Sequence, residues 1–279
     1  MVKILVVGLS KTDAGKTTVA QAVLHTLRDL GEKPCGFKPK AGNNVWYDFD
    51  VVKESLAQGR LYGKDAKLLR QASQTDLTEE TITPVHRLWA EPPTEFRSRV
   101  MELPFFILDR VTLSGEQPRT VVSVNKTLPF EHGAETLLGQ LYVNAEEVLP
   151  IFTLKGLRMF EHRFFEQAIA LAHRAITKRY DSLVYESYAD IALPWLDITG
   201  LDLVLGVEPG RVAAYDPHKW LDACGLSREI HRDVEISTAS ILPLMKPLAS
   251  QRVPPVMHDS VQQELEPRIH TLLTQTLPR

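Results

Sequence analysis

The first forty residues alternate between apolar and polar segments in an order that predicts a strand, a loop, a helix and a second strand. Residues 3–7 (KILVV) form a short apolar run rich in β-branched side chains, which is typical of a strand buried on both faces of a parallel sheet. A polar loop containing two glycines follows over residues 8–15, and an amphipathic helical pattern begins at residue 16. Residues 34–37 predict a second strand. Because βαβ crossovers are right-handed, the loop is expected at the carboxyl edge of the sheet.

The rest of the chain continues this alternation. The same criteria predict helices at about 50–71 (interrupted at Gly59 and Gly63), 159–179, 216–224 and 259–277 (the last kinked or divided at Pro267). They predict strands at 181–186, 201–207 and 236–244. Residues 103–154 differ, because two strand-like runs flank a Ser-Gly turn. The predicted fold is α/β, with a mostly parallel sheet flanked by helices in a single domain spanning 1–279, and a small β-rich insertion at about 103–154.

Composition excludes several classes of protein. The 279 residues carry a formal net charge of −3, which gives no electrostatic reason for a nucleic-acid or an anionic-membrane partner. No apolar run is long enough for a membrane span, and no signal peptide is recognisable at the start. The two cysteines, Cys35 and Cys224, lack the spacing of a metal knuckle and are expected to be free thiols. We therefore expect a cytoplasmic protein with neither nucleic acid nor membrane as its partner.

The sequence GKTT at residues 15–18 has the context of a phosphate-binding loop, because it lies between a buried strand and an amphipathic helix. Backbone N–H groups and the helix dipole attract an anion there, Lys16 can reach the β- and γ-phosphates, and the Thr17 hydroxyl can ligate Mg²⁺. Ser10 stands where the usual motif has its first glycine. The predicted domain is thus a P-loop NTPase. Its predicted nucleotide-binding residues are Thr12, Asp13, Ala14, Gly15, Lys16, Thr17 and Thr18.

Lys11 adds a second lysine to this loop. The pair Lys11 and Lys16 resembles the deviant Walker A signature of the partition, nitrogenase-iron-protein and arsenite-pump ATPases. In those families the extra lysine contacts nucleotide phosphate across a dimer interface. The resemblance implies a homodimer and a catalytic role for Lys11, whereas a solvated loop lysine is the alternative.

Five further segments occur in a recognisable order. They are SKTDAGKTT at residues 10–18, FKP at 37–39, KDAKLL at 64–69, TP at 83–84 with AEPP at 90–93, and VYE at 184–186. Together these segments resemble the dethiobiotin synthetase family and its relatives, the cobyrinate-type amidoligases. Such enzymes use ATP and Mg²⁺ to phosphorylate a carboxylate or carbamate, which a nucleophile then attacks.

The resemblance assigns roles to individual residues. It implies that Lys16 and Lys38 are catalytic, with Lys38 contacting the carboxylated substrate and the γ-phosphate. It also implies that Thr17, Asp65 and Glu186 hold Mg²⁺, which prefers oxygen ligands. The structural alternatives are a surface lysine for Lys38, a helix N-terminal charge for Asp65 and a strand-end salt bridge for Glu186.

Two departures from the family bear on the substrate. The family's glycine-rich run after the strand-end glutamate is replaced by SYAD at 187–190, and the 103–154 insertion is foreign to the short synthetases. We therefore expect an enzyme resembling dethiobiotin synthetase, acting on a small-molecule carboxylate or amine in ring closure or ligation, with the identity of that substrate left open. The alternatives are a nucleotide-switched ATPase of the partition type acting on a protein partner, and a small-molecule kinase.

Overall fold

The computed structural model describes residues 1–10, 14–91, 103–128, 132–231, 235–256 and 260–277. Its strands are β1 (Val2–Gly8), β2 (Pro34–Phe37), β3 (Lys40–Asn44), β4 (Val85–Trp89), β5 (Phe106–Leu113), β6 (Arg119–Asn125), β7 (Glu147–Ile151), β8 (Ser182–Glu186), β9 (Leu203–Glu208), β10 (Arg211–Tyr215) and β11 (Ala249–Arg252). Its helices are α1 (Lys16–Asp29), α2 (Phe49–Gln58), α3 (Lys64–Ser73), α4 (Glu79–Ile82), α5 (His132–Gly139), α6 (Leu154–Thr177), α7 (Pro217–His231), α8 (Thr238–Ile241), α9 (Val261–Glu264) and α10 (Glu266–Thr276). Short 3₁₀ turns occur at Gln140–Tyr142 and Leu242–Leu244.

The chain divides into two compact units, each with its own sheet. The first unit consists of Met1–Pro39, Leu68–Asp76 and Ile176–Arg279, and the second of Lys40–Lys67 and Leu77–Ala175. Among the described residues, no helix is both long enough and apolar enough to cross a membrane.

The first unit is built on a six-stranded sheet with the order β11-β10-β9-β1-β8-β2. The four strands β9, β1, β8 and β2 are parallel, and β10 and β11 are antiparallel. The apolar run that predicted β1 is buried throughout, since Ile4, Leu5, Val6 and Val7 are all 0% exposed. A strand covered on both faces needs such a continuous apolar run.

The second unit contains a five-stranded sheet with the order β3-β4-β5-β6-β7. The pairs β3–β4 and β6–β7 are parallel, and the two pairs between them are antiparallel. A guanidinium is buried at the centre of this sheet: Arg110 donates to the backbone oxygens of Leu61, Thr83 and Pro84 and to the Thr112 hydroxyl. Burial lowers the pKa of Arg110 to about 10, so the group stays charged at neutral pH.

The predicted α/β class is confirmed, in the form of two mixed sheets flanked by helices. Parallel pairing dominates only from β9 to β2 in the first sheet. The single-domain prediction with its insertion at about 103–154 stays a prediction. The structure places β5, β6 and β7 within that range, but their sheet also includes β3 and β4, which precede it.

The predictions of individual elements have mixed outcomes. The helical region expected over 50–71 is interrupted where the glycines predicted it: Gly59 adopts a left-handed conformation (φ 67°) and ends α2, and α3 begins at Lys64, directly after Gly63. The division of the last helix at Pro267 is confirmed, since α9 ends at Glu264 and α10 begins at Glu266. The strand expected over 236–244 is wrong: Ser237 caps α8 by accepting the Ala239 N–H, and a 3₁₀ turn follows.

Candidate functional site

Three parallel strands of the first unit end at the same edge of the sheet. Val6 of β1 pairs with Glu186 of β8, and Phe37 of β2 pairs with Tyr185 of β8. The end of β1 and the residue after β2, Lys38, are therefore close to the last residue of β8. Ligands of open α/β sheets bind outside this carboxyl edge.

Glu186 joins the predicted residues of these three segments. Its side chain is completely buried, and its Oε1 atom accepts a hydrogen bond of 2.8 Å from Thr17 Oγ1 and one of 2.6 Å from Lys38 Nζ. Lys38 is 4% exposed, so its ammonium is held in the protein rather than displayed to water. Buried charges require partners of this kind. The structure thus brings Thr17, Lys38 and Glu186 together, and the Lys38–Glu186 pair is also the strand-end salt bridge considered above as the alternative for Glu186.

The start of α1 has the form expected of an anion-binding helix. Gly15, at the N-cap position, is left-handed (φ 84°), which a residue without a Cβ adopts without strain. Ala14 is buried, and the N–H groups of Lys16, Thr17 and Thr18 lie in the first turn, where an α-helix provides no acceptor for them. These groups fit a phosphate oxygen.

Lys16 is held next to the end of β1. Its Nζ donates to the Ala189 carbonyl oxygen at 2.7 Å. A Cβ added to Gly8 would lie 2.9 Å from that same oxygen and 3.0 Å from Lys16 Nζ. The close approach of the lysine and the segment after β8 therefore requires glycine at position 8.

The two side-chain oxygens of this cluster are of the kind that ligate Mg²⁺. The Thr17 hydroxyl and the Glu186 carboxylate oxygen are 2.8 Å apart. Neighbouring ligands of octahedral Mg²⁺, each at about 2.1 Å from the metal, are roughly 3.0 Å apart. Among the described residues there is no group of three or more His, Cys, Asp or Glu side chains that could hold a metal by itself. A magnesium ion here would need phosphate and water oxygens as well.

No model of a known protein family matches the chain, and no curated protein matches it.

Not every predicted residue belongs to the described cluster. Lys11, Thr12 and Asp13 lie outside the described residues. Asp65 lies in the second unit, in the first turn of α3. The pKa of Asp48, also in that unit, is raised by burial and further by the charge of Asp65. The role of Asp65 as a ligand beside Thr17 and Glu186 stays a prediction.

The two thiols are free and buried, and burial raises the pKa of both Cys35 and Cys224 to about 12. At neutral pH neither is a thiolate, so neither has the reactive form of a nucleophilic cysteine.

Sequence reasoning missed a second set of contacts, which involves the segment after β8. Asp190 accepts hydrogen bonds from the Ser237 hydroxyl on Oδ2 and from the Thr238 N–H on its carbonyl, each at 2.7 Å. Thr238 is buried, and its hydroxyl donates to the Gly8 carbonyl at 2.8 Å. Ser237, directly before α8, is a recognisable N-cap signal, but the strand interpretation of 236–244 concealed it.

Proposed function

We propose that the chain is a P-loop NTPase that uses ATP and Mg²⁺ to activate a carboxylate or carbamate by phosphoryl transfer, for ring closure or ligation. One observation carries the proposal: a single buried carboxylate oxygen, Glu186 Oε1, links the Thr17 hydroxyl to the Lys38 ammonium at the carboxyl edge of the sheet. The first turn of α1 and Lys16 supply the phosphate-binding groups beside it.

Each residue has a role in such a transfer. Lys16 and the N–H groups of α1 would bind the β- and γ-phosphates. Thr17 and Glu186 would hold Mg²⁺, which when bound supplies positive charge at the phosphate oxygens. The γ-phosphoryl group would pass from ATP to an oxygen of the substrate, releasing ADP. Lys38 would stabilise the charge that moves between donor and acceptor, because such catalysis consists mainly of positioning and charge neutralisation.

The burial of Lys38 favours this reading over a surface lysine. An ammonium that is 4% exposed and 2.6 Å from a carboxylate oxygen is oriented before a substrate arrives. The resemblance to dethiobiotin synthetase supports the same assignment, since Lys38 stands in its FKP segment. On the same basis we propose a small-molecule carboxylate or amine substrate, a homodimer with Lys11 at the nucleotide, Asp65 as a further Mg²⁺ ligand, and a cytoplasmic location.

The test is ADP release from Mg-ATP by the purified protein, with and without 7,8-diaminopelargonate plus bicarbonate. Lys16→Ala is the blank, Lys38→Ala is the test variant, and Lys219→Ala, at an exposed lysine of α7, is the matched control. We expect ADP release to require Lys16, and its substrate-dependent part to require Lys38 but not Lys219. Full substrate-dependent turnover by Lys38→Ala would refute the proposed role of that lysine.

The pattern of stimulation also separates the alternatives. Basal ATP hydrolysis that no small carboxylate or amine increases, but that a protein partner increases, would indicate a nucleotide-switched ATPase. A product that keeps the phosphate, detected by mass spectrometry, would indicate a small-molecule kinase.

A further inference from the structure

The segment after β8 supplies a contact to the lysine of the proposed phosphate site. The contact is made by the backbone of Ala189, whose carbonyl oxygen accepts a hydrogen bond of 2.7 Å from Lys16 Nζ. An ammonium has three N–H groups, and the bond to Ala189 uses one of them and fixes the direction of the lysine. Lys16 is held against the end of β1 at Gly8, where the proposed phosphate site begins.

Ala189 reaches this position in an unfavourable backbone conformation. Its φ is 44°, and it is one of two non-glycine residues with positive φ in the described part of the chain. A left-handed alanine is strained because of its Cβ, and such strain persists only where the surroundings impose it. Some neighbouring contact must therefore hold the segment in place.

The neighbouring contacts come from Asp190, Ser237 and Thr238, which we call the clasp. Ser237 Oγ donates to Asp190 Oδ2, and the Thr238 N–H donates to the Asp190 carbonyl, both at 2.7 Å. A bridge between Ile191 and Ser237 continues the pairing. Tyr188 makes a further hydrogen bond, to Glu235.

The clasp is also connected to the phosphate loop from its other side. The Thr238 hydroxyl donates to the Gly8 carbonyl at 2.8 Å, and Thr238 is 0% exposed. One short turn thus holds both the end of β1 and the residue next to Ala189. The same turn therefore contacts Gly8, beside which Lys16 Nζ lies, and Asp190, the residue that follows Ala189.

We propose that Asp190 is a positioning residue, which through the clasp holds the Ala189 carbonyl where it directs Lys16 towards the phosphates of the nucleotide. This inference rests on the proposed nucleotide-binding function and adds residues that are not part of the resemblance. In this proposal the SYAD segment, residues 187–190, does not bind the substrate; its role is to hold Lys16 in position.

The test measures the affinity of Mg-ADP by isothermal titration calorimetry for the wild type, Asp190→Ala, Asp190→Asn and Asp197→Ala. Asp197 is an exposed acid in the same connection between β8 and β9 and is the matched control. We expect Asp190→Ala to weaken binding about tenfold, the effect of one lost hydrogen bond to a charged group. Asp190→Asn keeps an oxygen that can accept from Ser237 and should bind within about twofold of the wild type, as should Asp197→Ala.

A second arm separates positioning from general damage to the fold. In a Lys16→Met background, Asp190→Ala should change the affinity little, because the ammonium that it positions is gone. An equal weakening in both backgrounds would overturn the inference, and so would wild-type affinity in Asp190→Ala. If Asp190→Ala does not fold, Ser237→Ala, which removes the donor to Asp190 Oδ2, takes its place with the same expected results.

The outcomes distinguish this inference from the proposed function. Failure of the folded wild type to bind Mg-ADP would reject both. Binding that depends on Lys16 but not on Asp190 would reject the inference alone.

Discussion

Replacing Lys38 by methionine tests whether the buried pair at the site is ionised and mutually stabilised. Methionine keeps an unbranched apolar stem but removes the ammonium that lies 2.6 Å from Glu186 Oε1. The Glu186 carboxylate, 0% exposed, would then keep the Thr17 hydroxyl as the described donor to that oxygen. Removing one partner of a buried ion pair is far more costly than replacing both.

Proton uptake sets the scale of the loss. A carboxyl group with the ordinary glutamate pKa of about 4.3 takes up a proton at pH 7 at a cost of about 3.7 kcal/mol, and at pH 5.5 at about 1.6 kcal/mol. A carboxylate left without its lysine can escape the burial penalty in this way. We therefore expect Lys38→Met to lower the free energy of unfolding by about 3–4 kcal/mol at pH 7 and by less than about 2 kcal/mol at pH 5.5.

Tryptophan fluorescence provides the assay. Trp195 and Trp220 are buried in the first unit, where the pair lies, whereas Trp46 and Trp89 in the second unit are 72% and 36% exposed. The shift of emission to longer wavelength in urea therefore reports mainly on the first unit. The double variant Lys38→Met/Glu186→Gln removes both charges and should recover most of the loss.

Three results would refute the reasoning. The first is that Lys38→Met lowers the free energy of unfolding by less than about 1 kcal/mol at pH 7, and the second is that this loss is no smaller at pH 5.5. The third is that Lys38→Met/Glu186→Gln is no more stable than Lys38→Met. Lys219→Met, at the exposed lysine of α7, should change the free energy of unfolding by no more than about 0.5 kcal/mol.

Three further predictions concern other parts of the molecule. Burial, and then a hydrogen bond with Asp29, raises the pKa of Glu266 from 4.5 to about 7, so its contribution to stability is complete below pH 4.5 and is lost as the pH rises through 7. Glu266→Gln should therefore remove the decline of the melting temperature between pH 5 and pH 8. A melting profile that Glu266→Gln leaves unchanged would reject this assignment. Gly8→Ala would place a Cβ within 3.1 Å of two backbone carbonyl oxygens. We expect it to lower the free energy of unfolding in urea by about 2 kcal/mol and to weaken Mg-ADP binding. Gly115→Ala, whose added Cβ would have nothing within 4 Å, should change neither quantity. Arg110→Lys cannot replace the four hydrogen bonds of the buried guanidinium and should cost about 3 kcal/mol in denaturation followed by circular dichroism; a loss under 1 kcal/mol would contradict the role of those bonds.

The sequence could predict the cluster of Thr17, Lys38 and Glu186, because a topological rule connects distant residues there. Each follows or ends an apolar run typical of a buried strand, and parallel strands of one sheet place their carboxyl ends at one edge. Their proposed roles come from the resemblance of these segments to nucleotide-binding motifs.

The clasp could not be predicted in the same way. Asp190 and Ser237 are separated by 47 residues, and no periodicity connects them. Short apolar runs are ambiguous between strand and helix, and the apolar residues around Ile236 and Ile241 favoured a strand. In the structure, the Ser237 cap starts a short helix there instead.

Strands β3 and β4 of the second sheet were not predicted, for a different reason. Strand β3 has the sequence KAGNN, in which glycine and asparagine have low strand propensity, and pairing with β4 decides its conformation. Arg110 and Asp109, both buried in β5, likewise contradict the usual exposure of charged side chains. Tertiary contacts overrode local preference at both places.

The position of β8 between β1 and β2 also determines when the site can form on the ribosome. β2 ends at Phe37, yet the strand that separates it from β1 begins only at Ser182. At translation rates of about 5–20 residues per second, the ribosome reaches β8 roughly 7–30 s after it completes β2. During that interval β1 and β2 expose unpaired, apolar edges, which invite mispairing or chaperone binding. Nascent chains halted before β8 should therefore lack the first sheet and with it the carboxylate that organises the site.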